Sequence, residues 1–128
     1  MIGLDTNVLV RYIAQDDKAQ SSRATTLIEE QCTPANPGFV GLVVLAEMVW
    51  VSETRYGATR AEVAEIVRRI LSIRQLVVQD ADTAWKALRL FETGKADFAD
   101  CLIERTASNA GCEKCMTFDK KAGMTLLA

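Results

Sequence analysis

The sequence contains no histidine among its 128 residues. That absence removes the side chain most used as a general base near neutral pH and the one most used as a metal ligand. No long apolar run is present either: the apolar residues after Met1 are broken by Asp5, Asn7 and Arg11, so neither a signal peptide nor a membrane span can be drawn. A cytoplasmic protein without membrane segments is expected. Positive charge is not in surplus, because 15 Lys and Arg face 17 Asp and Glu for a formal net charge of -2. A protein that coats polyanions by bulk charge is thereby excluded, and any nucleic-acid contact must use a local basic patch.

Four cysteines in a chain with no export signal are expected to be thiols rather than a disulfide framework. Cys32 and Cys101 fit core positions. Cys112 and Cys115 have the spacing of zinc ligands, but a structural site needs four ligands and the sequence offers no histidine and no second such pair. Redox activation of that pair would need a helix N-terminus, whereas a strand is expected to follow it.

What remains is a chain of ordinary domain length with 49% hydrophobic residues, enough for one compact domain over residues 1–128. Short apolar segments read as buried strands at Ile2–Leu4, Phe39–Val44, Leu76–Gln79 and Met116–Phe118. Between them lie helical patterns. One helix is expected from near Asn7, and a second, capped by Asp16 or Asp17, through about Gln31; Thr33-Pro34-Ala35-Asn36-Pro37-Gly38 is a loop. Leu45, Met48, Val49 and Ser52 mark a helix ended by Gly57, with Glu47 in its first turn. Thr59-Arg60-Ala61-Glu62 is a capping box opening a helix with Val63, Ile66, Val67, Ile70 and Leu71 on its apolar stripe. A further helix begins at Asp80 or Asp82, with Ala84, Trp85, Leu88 and Phe91 inward.

Asp97 is the expected N-cap of the next helix, with Asp100 at its third position and Ala99, Leu102, Ile103, Thr106, Ala107 and Ala110 buried. A short helix or turn from Lys120 is expected to close the chain. Alternation of apolar strands with amphipathic helices predicts a three-layer α/β/α domain with a mainly parallel central sheet and a ligand site at the carboxyl ends of the strands, near a reversal of strand order.

Asp5 and Asp119 then fall at strand ends, while Glu47 and Asp100 fall near the starts of helices on that same edge. Four carboxylates brought within about 4 Å repel by several kcal/mol at an effective dielectric near 20, so such a cluster takes up protons or binds a cation. Oxygen donors without His or Cys select a hard ion, Mg2+ or Mn2+. Each acid alone has a plainer explanation as a helix cap, a first-turn acid or a turn residue. Only the four together point to phosphodiester chemistry.

The segments Ile2-Gly3-Leu4-Asp5-Thr6-Asn7-Val8-Leu9, Leu45-Ala46-Glu47, Ala96-Asp97-Phe98-Ala99-Asp100-Cys101-Leu102-Ile103 and Met116-Thr117-Phe118-Asp119 resemble the PIN-domain family. More narrowly, they resemble its VapC-type toxins. The resemblance implies a Mg2+-dependent endoribonuclease, commonly the toxin of a type II toxin–antitoxin pair, often a homodimer and silenced by an antitoxin protein. By position it implies that Asp5, Glu47, Asp100 and Asp119 are the catalytic, metal-binding acids. Thr6 and Asn7 match the polar pair that hydrogen-bonds around them, and Asp97 is placed beside the acids as an N-cap rather than among the ligands.

Arg11, Lys95, Lys120 and Lys121 are the cations closest in sequence to these motifs and the candidates for contacting RNA phosphates. Trp50 and Trp85 are expected in the core or at a dimer interface. Two other functions are weighed against the nuclease. An aspartyl-phosphate phosphohydrolase needs a second acid two residues after the first, where this chain has Asn7; a non-catalytic PIN-fold binding protein would have no reason to keep all four acids.

Overall fold

Three short apolar strands organise the N-terminal part of the chain. The computed structural model describes residues 1–127, and the chain packs as two compact units, Met1–Ala81 and Asp82–Ala128.

In the first unit, strands β1 (Ile2–Gly3), β2 (Gly38–Val40) and β3 (Leu76–Val78) form a parallel sheet in the order β1-β2-β3. Ile2 pairs with Gly38 and Gly38 with Leu76. Glycine is required at this central position: a Cβ on Gly38 would lie 2.9 Å from both Leu4 Cδ1 and Leu76 Cδ2. Helices α1 (Thr6–Ala14) and α2 (Lys18–Thr26), followed by a π-helical turn at Leu27–Gln31, connect β1 to β2. Helices α3 (Leu42–Tyr56) and α4 (Arg60–Ser72) connect β2 to β3. Right-handed crossovers stepping the same way along a sheet put both connections on one face, and α1 packs against both α2 and α3. Strand order does not reverse within this unit.

The helix boundaries follow local chemistry. Asp17 caps α2 by accepting from Gln20 N at 3.0 Å, and Thr59 and Glu62 form the expected capping box at α4. Gly57 ends α3 at φ 64°, a left-handed conformation that glycine adopts without strain. Strand β2 stops at Val40, four residues before the expected end, because Gly41 already has the extended N-cap conformation and Leu42–Val44 make the first turn of α3. Glu47 consequently lies in the second turn of that helix and not the first. The inward stripe of α3 is Leu45, Met48, Val49 and Ser52, as expected, and Trp50 lies outside it.

In the second unit, α5 (Ala81–Thr93) and α6 (Phe98–Asn109) precede the parallel pair β4 (Met116–Thr117) and β5 (Thr125–Leu126). The closing segment makes the expected turn at Lys120 and Lys121 and then adds the short strand β5. Trp85 is half-buried on α5. Phe91 and Phe98 meet edge to face with ring centroids 5.9 Å apart, and Asn109 donates a hydrogen bond to Thr83. Helix α6 buries Phe98, Cys101 and Leu102, while Ile103 is 53% exposed. Its buried stripe is rotated from the expected one because Phe98, the first residue of the helix, takes the core position. Cys32 and Cys101 are core residues. Cys112 is exposed and Cys115 half-buried, and no disulfide joins any of the four. No helix among the described residues is long and apolar enough to cross a membrane.

Candidate functional site

Asp5 follows β1 and serves as the N-cap of α1, its Oδ1 accepting from Thr6 N at 2.8 Å. Capping uses one carboxylate oxygen and leaves the exposed residue able to accept elsewhere. Thr6 is buried at 7% exposure, and its hydroxyl donates to Glu47 Oε1 at 2.9 Å. This bond ties the start of α1 to the second turn of α3 and fixes the orientation of Glu47 beside the end of the first strand. A second side chain holds α3 at that edge: Gln79, just past β3, accepts from Leu42 N at 3.0 Å. Sequence reasoning missed Gln79. The only available signal was a polar residue at the end of an apolar strand, and that marks most strands.

Asn7 is exposed and lines a groove of about 280 Å³ between α1 and α2 with Val8, Arg11, Gln20, Arg23, Ala24 and Leu27. Arg11 is largely committed within the chain. Its Nη1 pairs with Asp16 Oδ1 at 3.0 Å, its Nε donates to Gln20 at 2.7 Å, and Tyr56 donates to the other Asp16 oxygen at 2.6 Å. The Tyr56 hydroxyl, with Arg11, holds the Asp16 carboxyl below the usual carboxylate range. This clasp links α1, α2 and α3, so less of Arg11 is available for a phosphate than its sequence position suggested.

The second unit carries the other acids. Asp97 is the N-cap of α6, its Oδ1 accepting from Asp100 N at 2.9 Å. Asp100 is half-buried at the third position of that helix. Burial, then the negative charges of Asp97 and Asp119 and a hydrogen bond with Asp97, push its carboxyl above the usual range. Asp119 is exposed in the turn after β4, where its Oδ1 accepts from Lys121 N at 2.8 Å and its own N–H donates to Thr117 Oγ1 at 3.0 Å. Lys95, Lys120 and Lys121 are exposed cations near these acids in sequence.

Within each unit, among the described residues, no three acidic or thiol side chains stand close enough to enclose one ion. The donor chemistry nonetheless fits a hard cation. All donors are carboxylate oxygens, and the electrostatic crowding of Asp100 by Asp97 and Asp119 is the kind that a nearby positive charge relieves.

A family profile described as PIN domain matches residues 2–123, a span that includes all four acids. The chain is also similar to the VapC ribonuclease of Aquifex aeolicus (strain VF5), with 25% identity over 119 residues, covering 92% of this chain and 87% of that protein. The match through nearly the whole sequence, together with parallel strands that carry acids at their carboxyl ends, makes the chain a member of the PIN-domain family with its α/β fold.

Proposed function

We infer that the chain is a divalent-metal-dependent endoribonuclease of the VapC type. In this reading both units act as one nuclease domain, and Asp5, Glu47, Asp100 and Asp119 together hold Mg2+ or Mn2+. The hydrogen bond from Thr6 to Glu47 is the observation that carries it, because it brings two acids from distant parts of the sequence to the carboxyl edge of one parallel sheet.

A hard divalent ion held by carboxylates supplies Lewis-acid activation of water and of a phosphodiester oxygen. The chain's own residues orient and bind. Thr6 restricts the rotamer of Glu47, and Asp97 fixes the first turn of α6 so that Asp100 projects from a rigid helix start. Lys95, Lys120 and Lys121 are exposed cations suited to phosphate contact. No histidine exists to move protons, so proton transfer falls to carboxylates and solvent. Likeness to a VapC ribonuclease also supports an antitoxin partner; a homodimer, and blockage of the site by that partner, are parts of the same proposal.

Cleavage of a labelled RNA in Mg2+ and in EDTA tests the reading, alongside Asp5→Asn and Asp100→Asn. Each substitution is expected to lower cleavage by more than about 100-fold, beyond the usual loss for a residue that merely supports a ligand, with an unchanged circular dichroism spectrum. Full activity in either folded variant, or cleavage that persists in EDTA, would refute the metal assignment. Absence of cutting by the wild-type protein would favour a binding protein that keeps only the fold.

A further inference from the structure

Tryptophan carries the largest apolar surface of any side chain and is usually mostly covered, yet Trp50 is 64% exposed. Helix α3 turns Leu45, Met48, Val49 and Ser52 inward and leaves Val43, Glu47 and Trp50 outward, Val43 being 75% exposed. Steps of four and then three residues place these on one helix face, each a turn from the next. The indole lies one turn beyond the acid that Thr6 fixes at the strand edge.

We propose that Trp50 is a positioning residue that stacks an unpaired base of single-stranded RNA, next to the phosphodiester presented at Glu47; this rests on the nuclease reading above. Single-stranded RNA offers splayed bases with flat π-faces, and stacking on an aromatic ring needs no hydrogen-bond code. A protein partner fits this face less well. The carboxylate of Glu47 interrupts the strip between Val43 and Trp50, so covering both with apolar surface would also shut away from water the acid and the cation that it holds in the nuclease reading. A nucleotide that places its phosphate toward a cation at Glu47 and its base on Trp50 leaves that carboxylate matched.

Steady-state cleavage of a short labelled single-stranded oligoribonucleotide in Mg2+ tests the proposal. Trp50→Ala is expected to raise KM by about 5- to 150-fold with little change in kcat, since stacking acts equally on bound substrate and transition state; Trp50→Phe stays within several-fold of wild type. In an Asp5→Asn protein, which does not cut, the same RNA should quench indole emission, and a further Trp50→Phe change should remove most of that quenching. That second measurement stands even if Trp50→Ala fails to fold. Unchanged KM and unchanged quenching, beside a wild-type protein that cuts RNA, overturn the stacking role and leave the nuclease reading intact. Unchanged KM with a smaller species in sedimentation assigns Trp50 to a protein contact and also overturns it. A wild-type protein that neither cuts nor binds RNA removes both.

Discussion

At the scale of single residues, Thr6 carries more than its place after the first acid suggests. Its hydroxyl is buried and bonded to Glu47, so Thr6→Val keeps the shape of the side chain while leaving the acid free to rotate. Cleavage and metal affinity are expected to fall by about 10- to 100-fold, as for other groups that orient a ligand, and isothermal titration with Mn2+ beside kcat/KM measures both. Asp100 has a different signature. Its carboxyl is raised in the folded chain by burial and by Asp97 and Asp119, so its contribution to stability is present in acid, below the ordinary carboxylate range, and is lost as pH rises through the raised value. In EDTA, the stability of wild type relative to Asp100→Asn should therefore decline as pH rises above about 4 and then level off. Denaturant unfolding across a pH series checks this, and a difference that grows with pH would contradict it.

At the scale of elements, capping and periodicity were readable in the sequence and strand ends were not. The Thr59–Glu62 box, the Asp97 cap and the inward stripe of α3 depend on residues within a few positions of one another, and each stands where the pattern placed it. Apolar continuity misleads at the end of β2: Leu42, Val43 and Val44 prolong the apolar run of that strand, yet they belong to α3 because Gln79, distant in sequence, caps its N-terminus. Trp50 is outward for a related reason, since helical spacing cannot tell which of two apolar faces the rest of the chain covers. The α4 cap gives an element-scale prediction. Thr59→Ala should destabilise the protein by about 1 kcal/mol, seen as a lower Tm. Glu62 is held below its ordinary carboxylate range by the Thr59 backbone and side-chain hydrogen bonds, so its contribution is present above that range and lost as pH falls through the lowered value. The penalty of Thr59→Ala should accordingly shrink in acid.

At the scale of the whole molecule, the acids are divided between two compact units: Asp5 and Glu47 in one, Asp97, Asp100 and Asp119 in the other. No property of the sequence announced that division, because strand and helix patterns run through residue 81 without a linker. If one ion serves both units, its binding stabilises only the folded chain. Millimolar Mg2+ or Mn2+ should raise Tm, by an amount equivalent to about 2.7 kcal/mol at a hundredfold excess over Kd, and Asp100→Asn should abolish the shift. Scanning calorimetry of both proteins with and without EDTA decides it.

The β4–β5 pair extends this point. Parallel strands are ordinarily bridged by a dozen or more residues, commonly a helix. Here two two-residue strands are joined only by Phe118–Met124, with Ala122 buried in between. Such a ribbon has little stability of its own, and the amides of Thr125 and Leu127 rely on single bonds to Cys115 and Thr117. Their hydrogens should exchange with solvent deuterium far sooner than those of the core helices. Asp119 is thus mounted on the segment that yields first, and slowed exchange at Thr125 and Leu127 would be an early sign that something has settled on that carboxylate.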